Sequence, residues 1–589
     1  MFQKIKSYLS KGNRAQWCIF VLFAFIVFFK CILFQWNVYH SLAISSIIHD
    51  PLSFWSFWLP KIAIVCLITS FVFISRKYIW SIVTLFLLDI WMLANMMYLR
   101  SNGLVLDGYA FTMVNNMEGF WSSCISLLEW GDLIPTLSSS IYLIFILFLK
   151  RNLQIIPRQW KTFGTVFTIA LFLNWGSFVL VRQFECRFYA HGVGNIESVW
   201  KSLKFNPFSS QSREGMKPMN KDYAFANFSL IHGFLFNILD YIDIQKGIKH
   251  PYQLTEEEKL RLLPFQGSTT AIQHNNLLLI LLIESLESWA IQPEIMPHLY
   301  AFINNHPTLY VKHSKSQTVG GSSGDGQMIV NTGILPVKEG ATCFRFPYIE
   351  YPSIIDRNDS SATILTHSAH CWNQSVMSDA YGYTQLIEGD WQDEILSQRV
   401  INYASRGYQT IQAITITSHI PFEHHFESKL NVSDKMPVLM AKYCKCLNLT
   451  DEGLKDLFAA IDTLPALKNA TIMITGDHSI FWGTQREDFA EFCKQNNLDW
   501  SVEIATCPVI FYSPNIKENI LIEDVCYQMD IFPTLLHITD NKDYYWKGFG
   551  VNLLDSVARK NRPISEQEAF ILSDKLIRAN WFESYTKGK

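Results

Sequence analysis

The chain has 589 residues, too many for one simple domain, and its residues are 49% hydrophobic and 17% charged. Its formal net charge of -3 provides no basic surplus to hold a polyanion, so no nucleic-acid partner is expected.

The apolar residues gather in the first third. Five stretches stand out there: Trp17–Trp36, Ile62–Ser75, Trp80–Leu99, Leu133–Leu149 and Phe163–Val181. Each approaches the roughly 20 residues that a bilayer-crossing helix needs, the second being the shortest. The first is long and aromatic-rich and lacks a small-residue cleavage site, so it reads as a retained helix rather than a signal peptide. Basic residues alternate along this region. Lys4, Lys6, Lys11 and Arg14 precede the first stretch, Arg76 and Lys77 follow the second, and Lys150, Arg151, Arg158 and Lys161 follow the fourth. The loops between are acidic or nearly uncharged, with Lys61 at a helix border. The positive-inside rule then predicts a cytoplasmic N-terminus and, after five spans, an outer location for everything beyond Val181. Lys30 lies inside the first span and is expected to snorkel towards an interface, the other reading being a grip on a lipid headgroup.

Residues 1–182 thus form the anchor, and residues 183–270 a connector. In the connector, Ser198–Phe205 and Leu230–Ile242 are aromatic and partly amphipathic; they suit either interfacial helices or packing against the next domain. Beyond the anchor stand Cys186, Cys343, Cys371, Cys444, Cys446, Cys493, Cys507 and Cys526, so one or two structural disulfides are expected in an oxidising compartment. Residues 271–589 alternate short apolar strands with helical segments. The strands are Leu277–Ile283, Ala362–Leu365, Ile411–Thr417, Ala470–Thr475 and Val509–Tyr512, and the helices include Gly453–Thr463 and Asp530–Thr539. This alternation predicts an α/β domain with a mostly parallel central sheet.

Ligands of such sheets collect at the carboxyl ends of the strands. Glu284, His419 and Asp477-His478 all sit just past strand ends, although nearly 200 residues separate the outermost. Carboxylates with histidine make a site for a divalent metal, Mn or Zn. The segment Gly320-Gly321-Ser322-Ser323-Gly324-Asp325-Gly326 reads as a flexible loop rather than helix or strand, and it offers Ser323 as an alcohol nucleophile. Taken singly, a Glu after a strand is usually a cap and a Gly-Ser run a linker; their occurrence together in one domain favours chemistry.

These segments resemble the lipoteichoic acid synthase and phosphoglycerol transferase family of the alkaline phosphatase and sulfatase superfamily. The likeness extends to the five-span anchor and implies a sulfatase-like exported domain. Ile283-Glu284-Ser285 is similar to the family's first metal-binding strand end. Gly321–Gln327 resembles its nucleophile loop, with Ser323 where the family usually has Thr and Ser322 one position away. Gly476-Asp477-His478 is similar to its Gly-Asp-His metal signature, so the implied metal ligands are Glu284, Ser323, Asp477 and His478. Thr417–Phe422 resembles the His-x-Pro-Phe segment, which implies that His419 contacts the phosphate or protonates the leaving group. His367 and Trp372-Asn373-Gln374 resemble a substrate-pocket segment, with Gln374 where the family usually has Arg. An Arg there would supply a bidentate phosphate fork that Gln does not reproduce.

The resemblance implies a metal-dependent transferase in a bacterial cytoplasmic membrane, with its catalytic domain on the outer side. Its donor would be phosphatidylglycerol or phosphatidylethanolamine, and its acceptor an envelope glycan or glycolipid. Phosphoethanolamine transfer and phosphodiester hydrolysis by the same core stay open as alternatives, as does a catalytically dead envelope-binding scaffold. A sulfatase is disfavoured, since neither Ser322 nor Ser323 is followed by the x-Pro-x-Arg that formylglycine formation needs.

Overall fold

The computed structural model describes residues 11–41, 51–75, 78–102, 105–106, 125, 127–149, 158–189, 228–249 and 252–583, the last stretch apart from 339–340, 348, 356–358, 390, 423–425 and 482. The chain divides into two units: Met1–Gly108 with Leu127–Gln245, and Tyr109–Ser126 with Lys246–Lys589. No unit corresponds to residues 183–270 alone; the division falls within that connector.

The first unit is helical because its apolar runs must satisfy their own backbone hydrogen bonds in lipid. Its helices are α1 (Lys11–Ser41), α2 (Pro51–Thr69), α3 (Ile79–Asn102), α4 (Leu133–Leu149), α5 (Trp160–Tyr189) and most of α6 (Leu230–Lys249). Five segments are long and apolar enough to cross a membrane: Gln16–Val38, Phe54–Phe73, Ile79–Arg100, Trp130–Phe148 and Trp160–Val181. The second span starts eight residues before the expected Ile62, because Phe54, Trp55, Phe57 and Trp58 continue the helix through Pro60. Lys61 is therefore inside α2 rather than at its border, fully buried, with its Nζ donating to Phe57 O at 2.6 Å. Lys30 does not snorkel. It is wholly buried and ion-paired with Asp89 of α3, and it donates to Pro135 O at 2.7 Å, while Ser139 donates to Asp89 Oδ2 at 2.6 Å.

In the connector, Ser198–Phe205 lies outside the described residues, whereas Leu230–Ile242 is part of α6. The start of this segment packs on α5. Phe228 and Phe236 meet Phe178, and His232 Nε2 bonds Asn174 Oδ1 at 2.8 Å.

The second unit is built on a nine-stranded mixed sheet, with strands β1 (Leu278–Ile283), β2 (Thr308–Lys315), β3 (Ser361–Leu365), β4 (Gln385–Ile387), β5 (Thr410–Ile414), β6 (Thr471–Gly476), β7 (Thr506–Tyr512), β8 (Ile520–Ile522) and β9 (Cys526–Tyr527). Their order is β4-β3-β5-β1-β6-β7-β2-β8, with β9 on β2, and the first five are parallel. Every residue of β1, β3, β5 and β6 is buried, as expected of strands covered on both faces. The expected strand Ile411–Thr417 stops at Ile414, because the N–H groups of Ile416 and Thr417 turn away to the Asp393 carboxylate at 2.9 and 3.1 Å.

Four helices matter for the site: α7 (Pro297–Asn305), α8 (Ser322–Thr332), α9 (Val438–Thr463) and α10 (Ile531–Ile538). The expected Gly453–Thr463 helix is the second half of α9, which starts directly after Pro437. All ten described cysteines are free thiols, so the expected disulfides are not found among the described residues. The eight-residue α10 carries the anticipated apolar face.

Candidate active site

Three neighbouring strand ends bring the metal-type residues together. Ile283 pairs with Gly476 across β1 and β6, so Glu284 and Asp477 leave the sheet side by side, and β5 runs on β1's other flank. Backbone and side-chain bonds fix these exits. Glu284 N–H donates to Thr415 Oγ1 at 2.9 Å, Ser285 N–H to Asp477 Oδ1 at 2.7 Å, and Ser418 Oγ to Glu284 O at 2.6 Å. Ser285 adopts φ 56°, a left-handed turn that non-glycine residues seldom take; Ser322, Trp372, Asn373 and Phe422 do the same in the adjoining segments. Such strain gathers where surrounding structure holds functional groups in place.

Ligand atoms of Glu284, Asp477 and His478 all lie within 4.8 Å of one another. His478 Nδ1 faces Ser479 O at 3.1 Å, which sets the tautomer and leaves Nε2 as the lone-pair nitrogen facing the carboxylates. That nitrogen is 3.6 Å from Glu284 Oε1 and 3.8 Å from Asp477 Oδ2. Burial, with Glu284 beside it, lifts the Asp477 carboxyl above the ordinary carboxylate range. Burial alone would lower His478, but Asp477 and Glu284 outweigh it and raise the imidazole. Asp477 Oδ2 is buried and has no hydrogen-bond partner. Crowded like charges and an orphaned carboxylate oxygen are what a divalent cation would resolve, so this donor set fits one.

Ser323 Oγ donates to Glu284 Oε2 at 3.2 Å and is 3.4 Å from His478 Nε2. Its segment is not the expected loop. Ser322–Thr332 is an α-helix, and Ser323 lies in its first turn. Tertiary contact overrides composition here: a Cβ on Gly326 would fall 2.4 Å from the Asp477 carbonyl oxygen, so only glycine lets α8 press against the Asp477-His478 segment. Asp325 folds the approach to the helix by accepting from the N–H groups of Val319 and Gly321, each at 2.9 Å. Burial pushes its carboxyl up to about 7.

Around this centre stand the other expected residues. His419 Nδ1 meets Ile420 O at 2.6 Å, and burial lowers its pKa to about 4. His367 is buried close enough for His419 and Asp477 to act on it electrostatically, and its pKa too is lowered, chiefly by burial. Trp372 lies against α8, its Cβ 3.2 Å from where a Cβ on Gly324 would sit. Gln374 is buried, and its Nε2 donates to Gln327 Oε1 at 2.8 Å, four residues along α8 from Ser323.

Several supporting groups give no signal in the sequence beyond being isolated acids. Asp393 holds the Ile416 and Thr417 amides and also accepts from Thr450 Oγ1 at 2.8 Å, so it sets the path of the chain to His419. Glu287 is fully buried. It accepts from Arg486 Nη2 at 2.6 Å, Ile480 N–H at 3.0 Å and Trp289 Nε1 at 2.7 Å, tying the segment after Glu284 to the one after His478. Its spacing of three from Glu284 is the only hint the sequence offers.

Comparison with known proteins agrees with both units. The family model described as lipoteichoic acid synthase N-terminal domain matches residues 1–185, and the sulfatase model matches residues 348–541. A lipoteichoic acid synthase of Staphylococcus saprophyticus is 19% identical over 585 residues, covering 92% of this chain and 84% of that one. Among solved structures, the lipoteichoic acid synthase LtaP of Listeria monocytogenes is 16% identical with a TM-score of 0.44, over 57% of this chain and 97% of that one. The integral membrane lipooligosaccharide phosphoethanolamine transferase EptA of Neisseria meningitidis is 12% identical with a TM-score of 0.50, over 89% of this chain and 96% of that one, a likeness of fold. With a synthase-type membrane module ahead of a sulfatase module, and a curated relative aligned through both, this membrane protein is a phosphotransferase that belongs to the lipoteichoic acid synthase and phosphoglycerol transferase family of the alkaline phosphatase and sulfatase superfamily.

Proposed function

We propose that the protein moves a phosphoglycerol headgroup from phosphatidylglycerol to a hydroxyl of an envelope glycan or glycolipid, with Ser323 as the nucleophile. The observation that carries this reading is the position of Ser323 Oγ, 3.2 Å from Glu284 Oε2 and 3.4 Å from His478 Nε2, at the edge of the carboxylate and histidine cluster. Glu284, Asp477, His478 and Ser323 would hold the cation, Mn or Zn from the oxygen and nitrogen donors, which would polarise the phosphoryl group and favour the serine alkoxide. Ser323 Oγ then forms a bond to phosphorus as the bond to the diacylglycerol oxygen breaks. Next the acceptor hydroxyl attacks the same phosphorus and releases Ser323. The neutral His419 ring, with Nδ1 turned to Ile420 O, keeps Nε2 to take the acceptor proton, and in its protonated form the same nitrogen supplies a proton to the departing diacylglycerol. His367 and Trp372 would line the headgroup pocket.

Phosphoethanolamine transfer is the second reading, and the observation that favours it is Gln374. No guanidinium stands at that position, and the amide is engaged with Gln327. Full-length protein in nanodiscs, given labelled phosphatidylglycerol or phosphatidylethanolamine with Mn, tests both. Diacylglycerol release and a headgroup phosphate on Ser323 by mass spectrometry are expected. Release from neither lipid, or undiminished release by Ser323→Ala, refutes the mechanism. The added mass identifies the headgroup.

A further inference from the structure

A cavity of about 310 Å³ opens between α7, β2, the segment after Glu287 and residues 499–501. This is the lower end of the size range of small-molecule sites. Its aromatic lining is graded from inside to outside. Trp289 is buried and stacks on the half-buried Trp500, with centroids 6.0 Å apart and planes 18° apart; Tyr310 is half-buried, and Tyr300 at the mouth is 39% exposed. Polar groups complete the walls. Lys312 and Asp499 are of opposite sign, and Gln292 and Asn304 add amides that both donate and accept. Burial, with Lys312 beside it, holds His313 below the ordinary histidine range, so it adds no charge at neutral pH.

A cavity with balanced charge has no preference for a phosphate, and one with four aromatic side chains is poorly matched to a small ion. Aromatic faces do suit the C–H face of a sugar ring, and amides and paired charges suit its hydroxyls. We propose that this cavity binds an uncharged sugar unit of the acceptor glycan, an assignment that rests on the transferase reading for the word acceptor but not for the sugar. The cavity is wired to the reaction centre by one side chain. Trp289 Nε1 donates to Glu287 Oε2 at 2.7 Å, and Glu287 Oε1 takes Arg486 and the Ile480 N–H from the segment after Asp477-His478. A sugar packed on Trp289 and Trp500 would therefore rest against the scaffold that aligns the metal-type residues.

The test is tryptophan fluorescence of the full-length protein in nanodiscs, titrated with cellobiose, chitobiose and, for contrast, glucose 6-phosphate. A saturable change with at least one uncharged disaccharide is expected, with weaker or no response to the phosphate ester. Ser323→Ala should bind as wild type does. Trp500→Ala, and the gentler Asp499→Asn read by calorimetry, should each weaken binding about tenfold. Trp500→Ala should also raise KM for a glycan acceptor by a similar factor. Saturable sugar binding by a protein that releases no diacylglycerol would sink the transferase reading while upholding the cavity assignment. No saturable response to either disaccharide, tighter binding of the phosphate ester, or undiminished binding in both variants overturns the assignment.

Discussion

Asp477 and Glu284 share a site too small for two bare carboxylates, and the chain pays no other cation into it than His478. The histidine around which proton transfer turns, His419, faces the opposite pressure: burial favours its neutral form and lowers its pKa to about 4 from the ordinary 6.5. The unfolded chain therefore takes up this proton first, between pH 6.5 and pH 4. The stability contributed by His419 is complete above pH 6.5 and is lost as pH falls towards 4. In metal-free protein, denaturant melts between pH 7 and 4.5 should show a slope from this group of at most about 1.4 kcal/mol per pH unit. His419→Gln should flatten that part of the profile, and an unchanged slope would remove His419 as its source. At this scale the sequence reveals what lies just past a strand: Glu284, His419 and Asp477-His478 are all found by that rule. Asp393 and Glu287 are hidden because their importance comes from distant backbone amides, which no local pattern encodes.

The element that decides the geometry is α8. Read as composition, its Gly-Ser start argues for a loop, since glycine is among the poorest helix formers. In the fold, those glycines are the condition for a helix seated against the Asp477-His478 segment. Gly326→Ala places a methyl group 2.4 Å from the Asp477 carbonyl oxygen, so helix or metal segment has to move. Overpacking of this kind costs about 1–3 kcal/mol, and a shift of the order of an ångström at a reacting centre can lower turnover about 100-fold. Thermal melts and diacylglycerol release should report both effects; a variant as stable and active as wild type would mean that α8 yields freely. Other elements were legible in part. The buried strands β1, β3, β5 and β6 announce themselves as short apolar runs. Strand β2, Thr-Leu-Tyr-Val-Lys-His-Ser-Lys, does not, since its half-buried face carries Lys312 and His313. The second span was found short because Pro60 and Lys61 mimic a helix end.

For the whole molecule, the charge pattern of the anchor loops argues for a cytoplasmic N-terminus and an exported second unit. An epitope tag after Lys589 should be reached by antibody in intact spheroplasts, while a tag before Met1 should require permeabilisation. The reverse pattern would mean an even number of spans. Tethering the site to the bilayer would also hold it near a donor that never leaves the membrane, an effective-concentration gain that needs no extra contact.

The buried pairing of Lys30 with Asp89 has a consequence for how the molecule is made. Either charge alone at mid-bilayer is unfavourable by about 2.5–3.5 kcal/mol on insertion scales. Their partners arrive late: Lys30 emerges in the first span, Asp89 only in the third, and Ser139 in the fourth. The first helix is thus unsuited to diffuse into lipid by itself during synthesis. Its release from the insertion machinery should wait until the third helix is available, so that the two enter as a neutralised pair. Crosslinking of staged ribosome-bound chains should catch the first span beside the translocon until Asp89 has emerged. In Asp89→Leu that contact should persist longer; equal residence in both would show that the spans enter lipid one at a time. Membrane biogenesis, rather than catalysis, is where this ion pair exerts its first effect.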